Sequence, residues 1–375
     1  MKTYHFLPVF LTIITVYIAT HFYAARWLAK AFALAPAPAA WLRIALLLAA
    51  FAAPLTMFLK HKFHAPALEA FYSVGYAWMG VILLAGFFFL AADLAAFALR
   101  RLGQPALLAR LPALTLGALA LVTAWAAWQG LKTPPVKNVE VAIKNLPPAL
   151  EGFKIAQISD MHVDSEWKLR QYAGVVDRIN AAAPDLVLVT GDLIDPGIAC
   201  REGLMQLTGR IKSRLGLYGS LGNHEYYYGL DKAAGCYKAF GINLLKNESA
   251  ELEHIRLTGI GDIHTEHLTE QAVLGILGPR RNGRLSIVMS HQPIYYKAMA
   301  AAGDHLVLSG HTHNGQIFPF TIFTRLFYPY IYGLYRINNS AFYVTSGTGS
   351  WGPPLRWLAP AEIPVITLRG TLLSY

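Results

Sequence analysis

Aspartate and histidine recur in this chain in spacings that could hold metal ions. They stand in Asp160-Met161-His162, Gly191-Asp192, Gly222-Asn223-His224-Glu225, Ser290-His291 and Gly310-His311-Thr312-His313. Carboxylate oxygen mixed with imidazole nitrogen is a donor set that Mn, Fe, Zn or Ni accepts. Any one pair would mean little; several in one chain point to divalent metal chemistry.

These groups need elements to bring them together. Ile155–Ile158 precedes Asp160, Leu186–Val189 precedes Asp192, and Leu306–Leu308 precedes His311. Short apolar runs closed by glycine or a turn read as buried strands of a parallel sheet. Ligands at successive strand ends would converge on one rim. Strands are predicted over 139–143, 153–159, 185–190, 216–221, 255–260, 285–290, 304–308, 341–345 and 364–368, and helices over 167–182, 200–213 and 230–240. Strand–helix alternation that becomes strand-rich predicts an α/β domain with a mixed sheet system and covering helices.

The N-terminal third is different. Residues 1–130 hold nine Lys and Arg and two acidic residues, Glu69 and Asp93. Four apolar stretches near 6–23, 40–59, 71–99 and 111–128 have the ~20-residue length of bilayer spans. Trp27, Trp41, Trp125 and Trp128 near their ends fit interfacial aromatics, and Arg43 and Asp93 are placed to snorkel. Lys2 before an apolar core also fits a signal peptide, but three further stretches and no small-x-small cleavage site favour an uncleaved anchor. Basic residues beside apolar helices suit anionic headgroups, and the near-balanced charge of the remainder argues against a nucleic-acid partner. The expected organisation is a transmembrane domain at 1–130 with about four helices, a Pro-rich linker at 131–150 and a catalytic domain at 151–375. That makes a multi-pass protein of the inner (plasma) membrane. Four spans place the N terminus and the catalytic domain on one side, with Lys2, Lys60, Lys62, Lys132 and Lys137; Arg26, Lys30, Arg100, Arg101 and Arg110 lie on the other. The positive-inside count ties. Cys200 and Cys236 make no disulfide framework and favour the reducing, cytoplasmic side.

The ordered motifs over 150–350 resemble the calcineurin-like metallophosphoesterase family. The tail Thr345-Ser-Gly-Thr-Gly349, Pro353-Pro354-Leu-Arg356 and Glu362-Ile363 resembles its membrane-associated bacterial subgroup, related to YaeI and YkuE. The resemblance implies an αββα sandwich of two mixed sheets flanked by helices, and two divalent metal ions. Asp192 would bridge them. Asp160, His162 and His313 would complete one site, and Asn223, His291 and His311 the other. A metal-activated hydroxide would attack phosphorus, and His224 would donate a proton to the leaving oxygen.

Several residues carry two readings. Glu225 holds a ligand or caps a helix. Asp195 orients His224 or a ligand, or caps a helix before Pro196. Thr312 spaces His311 and His313 along an extended segment. Asn314 stands where relatives carry glycine and tolerates positive φ. Met161 points away from the metals. Asp262 and His264 read as groups behind or beside the ligands; His254, His267 and His305 read as surface or loop residues. His5, His21, His61 and His64 read as membrane-interface residues.

The aromatic stretch 317–335 reads as a packed loop or as an apolar rim resting on the bilayer. Tyr226–Tyr228 are expected near the same mouth, and Arg325, Arg336 and Arg356 are candidates for a second phosphate. The expected function is membrane-anchored hydrolysis of a phosphodiester, pyrophosphate or phosphomonoester, on a lipid-linked substrate such as a UDP-diacylglucosamine-like precursor. The alternatives are a phosphatase or phosphodiesterase for soluble nucleotides, a non-catalytic metal scaffold, and a regulatory membrane protein.

Overall fold

A computed structural model describes residues 6–62, 66–195, 200–279 and 283–371. Lys2, His5, His64 and Pro196, and the side chains of Lys60, His61 and Lys62, lie outside what it describes. Contacts divide the chain into two compact units. One comprises Met1–Gln129, Ile317–Pro319 and Gly352–Trp357; the other comprises Gly130–Gln316, Phe320–Trp351 and Leu358–Tyr375.

The first unit contains helices α1 (Phe6–Ala31), α2 (Pro36–Lys62), α3 (Pro66–Arg101) and α4 (Pro105–Leu131). Proline opens α2, α3 and α4, where its fixed φ suits the first turn and its missing N–H costs nothing. Among the described residues, Pro36–Leu55, Ala70–Arg101 and Pro105–Leu131 are long and apolar enough to cross a membrane. α3 has 36 residues; at ~1.5 Å per residue it is longer than a ~30 Å hydrocarbon layer.

Two side chains in this unit depart from expectation. His21 is buried: its Nε2 accepts from Trp78 Nε1 at 3.1 Å and its Nδ1 lies 2.8 Å from the Tyr17 carbonyl. Trp27 stacks on Phe89 with centroids 4.1 Å apart and is buried, whereas Trp41, Trp125 and Trp128 are exposed. A helix pair can satisfy a polar ring internally, which period alone does not reveal. Asp93 accepts from the Tyr23 hydroxyl at 2.8 Å.

The second unit is a sandwich of two six-stranded mixed sheets. The first sheet contains β1 (Val136–Ile143), β2 (Lys154–Ile158), β3 (Leu186–Thr190), β4 (Leu217–Ser220), β5 (Asn243–Leu244) and β12 (Ile363–Gly370), in the order β1-β12-β2-β3-β4-β5. The second contains β6 (Glu248–Leu252), β7 (Ile255–Ile260), β8 (Leu285–Ser290), β9 (His305–Ser309), β10 (Gly333–Ile337) and β11 (Ser340–Val344), in the order β10-β11-β9-β8-β7-β6. β2, β3 and β4 run parallel in one sheet, and β7, β8 and β9 in the other. The strand expected over 139–143 is β1, which begins three residues earlier and pairs with β12 along its whole length.

Period-two alternation builds the layers. Leu186 and Leu188 face the inter-sheet core with Leu257, Ile287, Met289, Leu306 and Leu308. Val187 and Val189 face the opposite side with Tyr172, Val175 and Ile179 of α5 (Glu166–Ala182) and with Cys236 and Tyr237 of α8 (Leu230–Ala239). Both faces of these strands are buried, so they read as continuous apolar runs. The second sheet's outer face is covered by Val273 and Leu277 of α9 (Glu270–Leu277) and by Tyr296 and Met299 of α10 (Tyr296–Ala302). A fully buried Val, Leu or Ile contributes roughly 1.5–3 kcal/mol, and many such side chains hold the strand ends in register.

Three further expectations change. The helix predicted over 200–213 is confined to α6 (Glu202–Thr208). Cys200 and Cys236 are joined in a disulfide, with Cα atoms 5.3 Å apart. The 36-residue separation hid this pairing from a reading of spacing. His305 is a buried strand residue whose Nδ1 lies 2.8 Å from Ser286 Oγ.

Candidate metal centre

Every residue expected to bind metal follows the C-terminal end of a strand or opens the helix beyond it. Asp160 and His162 follow β2, Asp192 follows β3, and Asn223 begins α7 (Asn223–Tyr228) just after β4; His291 follows β8, and His311 and His313 follow β9. Five of them, Asp160, His162, Asp192, His311 and His313, have φ between 47° and 68°. Left-handed backbone costs a non-glycine residue of order 1–3 kcal/mol and persists where the surroundings over-determine it. Thr312 between the last pair is right-handed, with φ −79° and ψ −18°. Residues 311–313 therefore form a turn and not the extended segment expected. The turn sends His313 towards Asp160 and His162, and His311 towards Asp192 and His291. Asn314 takes φ 51°, as asparagine can.

Three groups emerge. The donor atoms of Asp160, His162 and His313 lie within 4.8 Å of one another, as do those of Asp192, His291 and His311, and those of His162, Asp192 and His224. Asn223 Oδ1 lies 3.1 Å from His311 Nδ1, at the second group. Asp192 belongs to two groups: its Oδ2 is 3.1 Å from His291 Nε2 and 3.8 Å from His162 Nε2.

The donor set fits cations. His162 Nε2 faces His313 Nε2 at 3.1 Å, and His311 Nδ1 faces His291 Nε2 at 3.2 Å. Two ring lone pairs at that distance repel unless a proton or a cation lies between them. The outer nitrogens face oxygen atoms of the surrounding loops. His291 Nδ1 donates to the Thr190 carbonyl at 2.8 Å, and His162 Nδ1 lies 3.2 Å from Asp195 Oδ2. Those partners leave the Nε2 lone pairs of His291 and His162 pointing inward, the usual arrangement around a metal.

Electrostatics follow from burial and crowding. Burial pushes the Asp160 carboxyl up, reinforced by Asp192. Burial also acts upward on Asp192, but His291, His224 and His162 outweigh it and hold the group well below the usual carboxylate range. Burial opposes charge on His224 and His291, yet Asp192 raises them to about 9 and about 10. Burial and the neighbouring His291 charge drive His311 down to about 3.

The surrounding groups hold this arrangement. Glu225 is fully buried and touches no candidate ligand side chain among its hydrogen bonds. Its Oε2 accepts from the Asp192 and Gly222 amides at 2.8 Å, and its Oε1 from Leu193 at 2.9 Å and Ile194 at 3.3 Å. It thus caps α7 and pins the Asp192 loop at once; a hydrogen bond of this kind contributes ~0.5–1.5 kcal/mol net. Burial and the Asp192 charge push Glu225 up to about 7. Asp195 hydrogen-bonds His224 Nδ1 as well as facing His162, so it joins two imidazoles through one carboxylate. Ser159 Oγ donates to Asp160 Oδ2 at 2.5 Å, and the His311 amide to Asp160 Oδ1 at 2.8 Å. Glycine is required in two of the motifs for lack of room. A Cβ on Gly222 would stand 2.2 Å from Asp192 Oδ1, and one on Gly310 would stand 2.1 Å from Asp160 Oδ2.

Two aromatic residues that the motifs did not single out also reach the site. The Tyr328 hydroxyl lies 2.8 Å from His311 Nε2, and the Trp351 ring lies 6.0 Å from that of His224. Tyr227 is 5.3 Å from the His224 ring, while Tyr226 bonds Glu266 instead. Asp262 is buried and accepts from the Thr265 amide at 2.8 Å; neither it nor His264 enters the three groups. Arg336 donates to the Ala142 carbonyl at 2.9 Å, Arg356 is buried in the helical unit, and Arg325 is exposed.

A family model for calcineurin-like phosphoesterases matches residues 153–315. YkuE of Bacillus subtilis, a metallophosphoesterase, is 30% identical over 273 residues, which cover 69% of this chain and 94% of that protein. A metallophosphoesterase of Campylobacter jejuni is 34% identical over 244 residues, 64% of each chain. A transmembrane protein with a metallophosphoesterase domain from Danio rerio is 34% identical over 276 residues, 66% of this chain and 61% of that one. The matched region thus spans just under two thirds of the length of the bacterial relative from Campylobacter. Among solved structures, a dimetal phosphatase from Danio rerio aligns with a TM-score of 0.33 at 12% identity, covering 54% of this chain and 90% of that one; likeness at that level carries no argument. The extent of the YkuE match and the family model over the motif-bearing residues lead to one conclusion: the chain belongs to the calcineurin-like metallophosphoesterase family.

Proposed function

We propose that this protein is a membrane-anchored, metal-dependent phosphoesterase acting on a phosphate ester or anhydride carried by a lipid. The observation that carries the reading is the sharing of Asp192 between two groups of inward-facing imidazoles. Asp160, His162 and His313 would hold one cation and Asn223, His291 and His311 the other, with Asp192 serving both. Bound divalent cations supply Lewis acidity towards phosphoryl oxygens and make a nucleophile from water near neutral pH.

The chain's own residues do the rest. His224, largely buried beside Asp195 and Trp351, gives the proton on its Nε2 to the leaving oxygen, because its Nδ1 is held by Asp195. Asp195 holds that ring by its hydrogen bond and places its other carboxylate oxygen 3.2 Å from His162 Nδ1. Glu225 keeps the Asp192 loop from relaxing out of its left-handed turn. Helices long enough to cross a bilayer support the lipid substrate, as does the apolar stretch following His313.

Substrate profiling tests the reading. The purified Mn-loaded protein should hydrolyse a lipid-borne phosphodiester or pyrophosphate with a kcat/KM at least about tenfold above soluble nucleotide esters, a difference of ~1.4 kcal/mol in transition-state binding. Equal or better hydrolysis of soluble nucleotides would make the helices a simple anchor.

The Cys200–Cys236 pairing favours an oxidising compartment for the catalytic unit, against the cytoplasmic side that the sequence favoured. Protein taken from cells lysed in an alkylating agent should carry no alkylated cysteine until it is reduced. Two alkylated thiols before reduction would return the unit to the cytoplasm.

A further inference from the structure

Immediately after the last candidate ligands the chain forms α11 (Phe320–Phe327), Phe-Thr-Ile-Phe-Thr-Arg-Leu-Phe, and no residue of this helix is buried. Phe320, Ile322, Phe323, Leu326 and Phe327 are exposed, Leu326 at 75%. The two threonines are the least exposed side chains of the helix, and Thr321 is the one that bonds outside it. Thr321 Oγ1 donates to the Asn314 carbonyl at 3.1 Å and Thr324 Oγ1 to the Phe320 carbonyl at 3.0 Å. Thus the helix is amphipathic in the reverse of the usual sense, with hydroxyls inward and large apolar groups outward. It has no acidic residue, and its one charge is the exposed Arg325.

The chain enters this helix directly from the helical unit. Ile317–Pro319 belong to the helical unit. Ile317 packs with Leu84 of α3 and Ala126 of α4, and the Phe318 ring lies 5.3 Å from Phe87. Both helices are apolar enough to cross a bilayer, and the chain runs from Pro319 into Phe320 with no intervening residue. At its other end α11 passes into Tyr328, whose amide donates to the Thr324 carbonyl at 2.9 Å and whose hydroxyl meets His311.

We propose that α11 is an interfacial helix that docks on the phospholipid bilayer, its phenylalanine and leucine side chains in the acyl boundary and Arg325 among the headgroups. It thereby presents the metal centre at headgroup depth, where a lipid's phosphate lies. The inference rests on the membrane anchoring proposed above and adds the element that brings the site to its substrate.

The full-length chain in vesicles of phosphatidylcholine and phosphatidylglycerol tests it. A spin label on Phe323→Cys should collide more readily with oxygen than with a water-soluble nickel chelate, whereas one on Lys232→Cys, exposed on α8, should show the reverse. A Phe323 label with the same water-like accessibility as the Lys232 label overturns the proposal. So does strong spin–spin broadening, which would assign the face to a second copy of the chain. A Phe323→Ser/Leu326→Ser variant should lose at least about tenfold in kcat/KM on vesicle-borne ester while staying within about twofold on a soluble one; equal loss on both overturns it too. A buried label in a protein that ignores lipid esters would keep the docking and remove only the lipid-substrate reading.

Discussion

His224→Ala should bind its full complement of metal and lose most of its turnover, with kcat falling by about 10²–10⁴, the range that a positioned proton donor contributes. The geometry separates the two properties. The His224 side chain is close to the candidate ligands, its ring centroid 4.5 Å from that of His162, but its Nδ1 is committed to Asp195. What ties residue 224 to Asp192 is its backbone amide, which donates to Oδ1 at 2.9 Å and survives the substitution. Elemental analysis and single-turnover kinetics on the same sample decide the matter. Undiminished turnover would remove His224 from the mechanism; lost metal with lost turnover would make it a ligand, as its place in a group with His162 and Asp192 permits.

Asp192→Asn should lose metal at both sites. The amide is nearly isosteric and keeps the oxygen that receives the His224 amide, but it carries no charge. Among the candidate ligands only Asp160 would then remain as a carboxylate to offset two cations. Asp192 is the member shared by His162 on one side and His291 on the other. Metal affinity should therefore fall by more than the roughly 100-fold that losing an outer hydrogen-bond partner can cost. Activity should fall with it, and the thermal unfolding curve of the metal-free protein should stay cooperative. Two ions per chain by elemental analysis would exclude a shared carboxylate at residue 192. The pair of variants is diagnostic: one keeps metal without turnover, the other keeps neither.

Much of the scaffold was legible locally. Leu186–Thr190 is a strand wherever it is read, because two buried faces demand an unbroken apolar run and Gly191 ends it. The ordered Asp, His and Asn residues were visible for the same reason, each standing just past such a run. Where those side chains meet was set by contacts across long stretches of sequence. His162 and His313 are 151 positions apart, and Ser159 and Thr348 are 189 apart.

No local pattern shows that β12 inserts between β1 and β2, that Glu225 ties down the Asp192 loop, or that Asp195 joins His162 to His224. Nor does one show that Tyr328 reaches His311, that Cys200 pairs with Cys236, or that His21 is satisfied inside the helical unit. Left-handed backbone at five of the candidate ligands is likewise unreadable in advance, since residue preference opposes it and only the packed loops around it make it stable. Alternation, turn chemistry and donor type are short-range properties and are written along the chain. Sheet order, ring orientation and the outward face of α11 depend on which distant surfaces close on each other, and folding alone decides that.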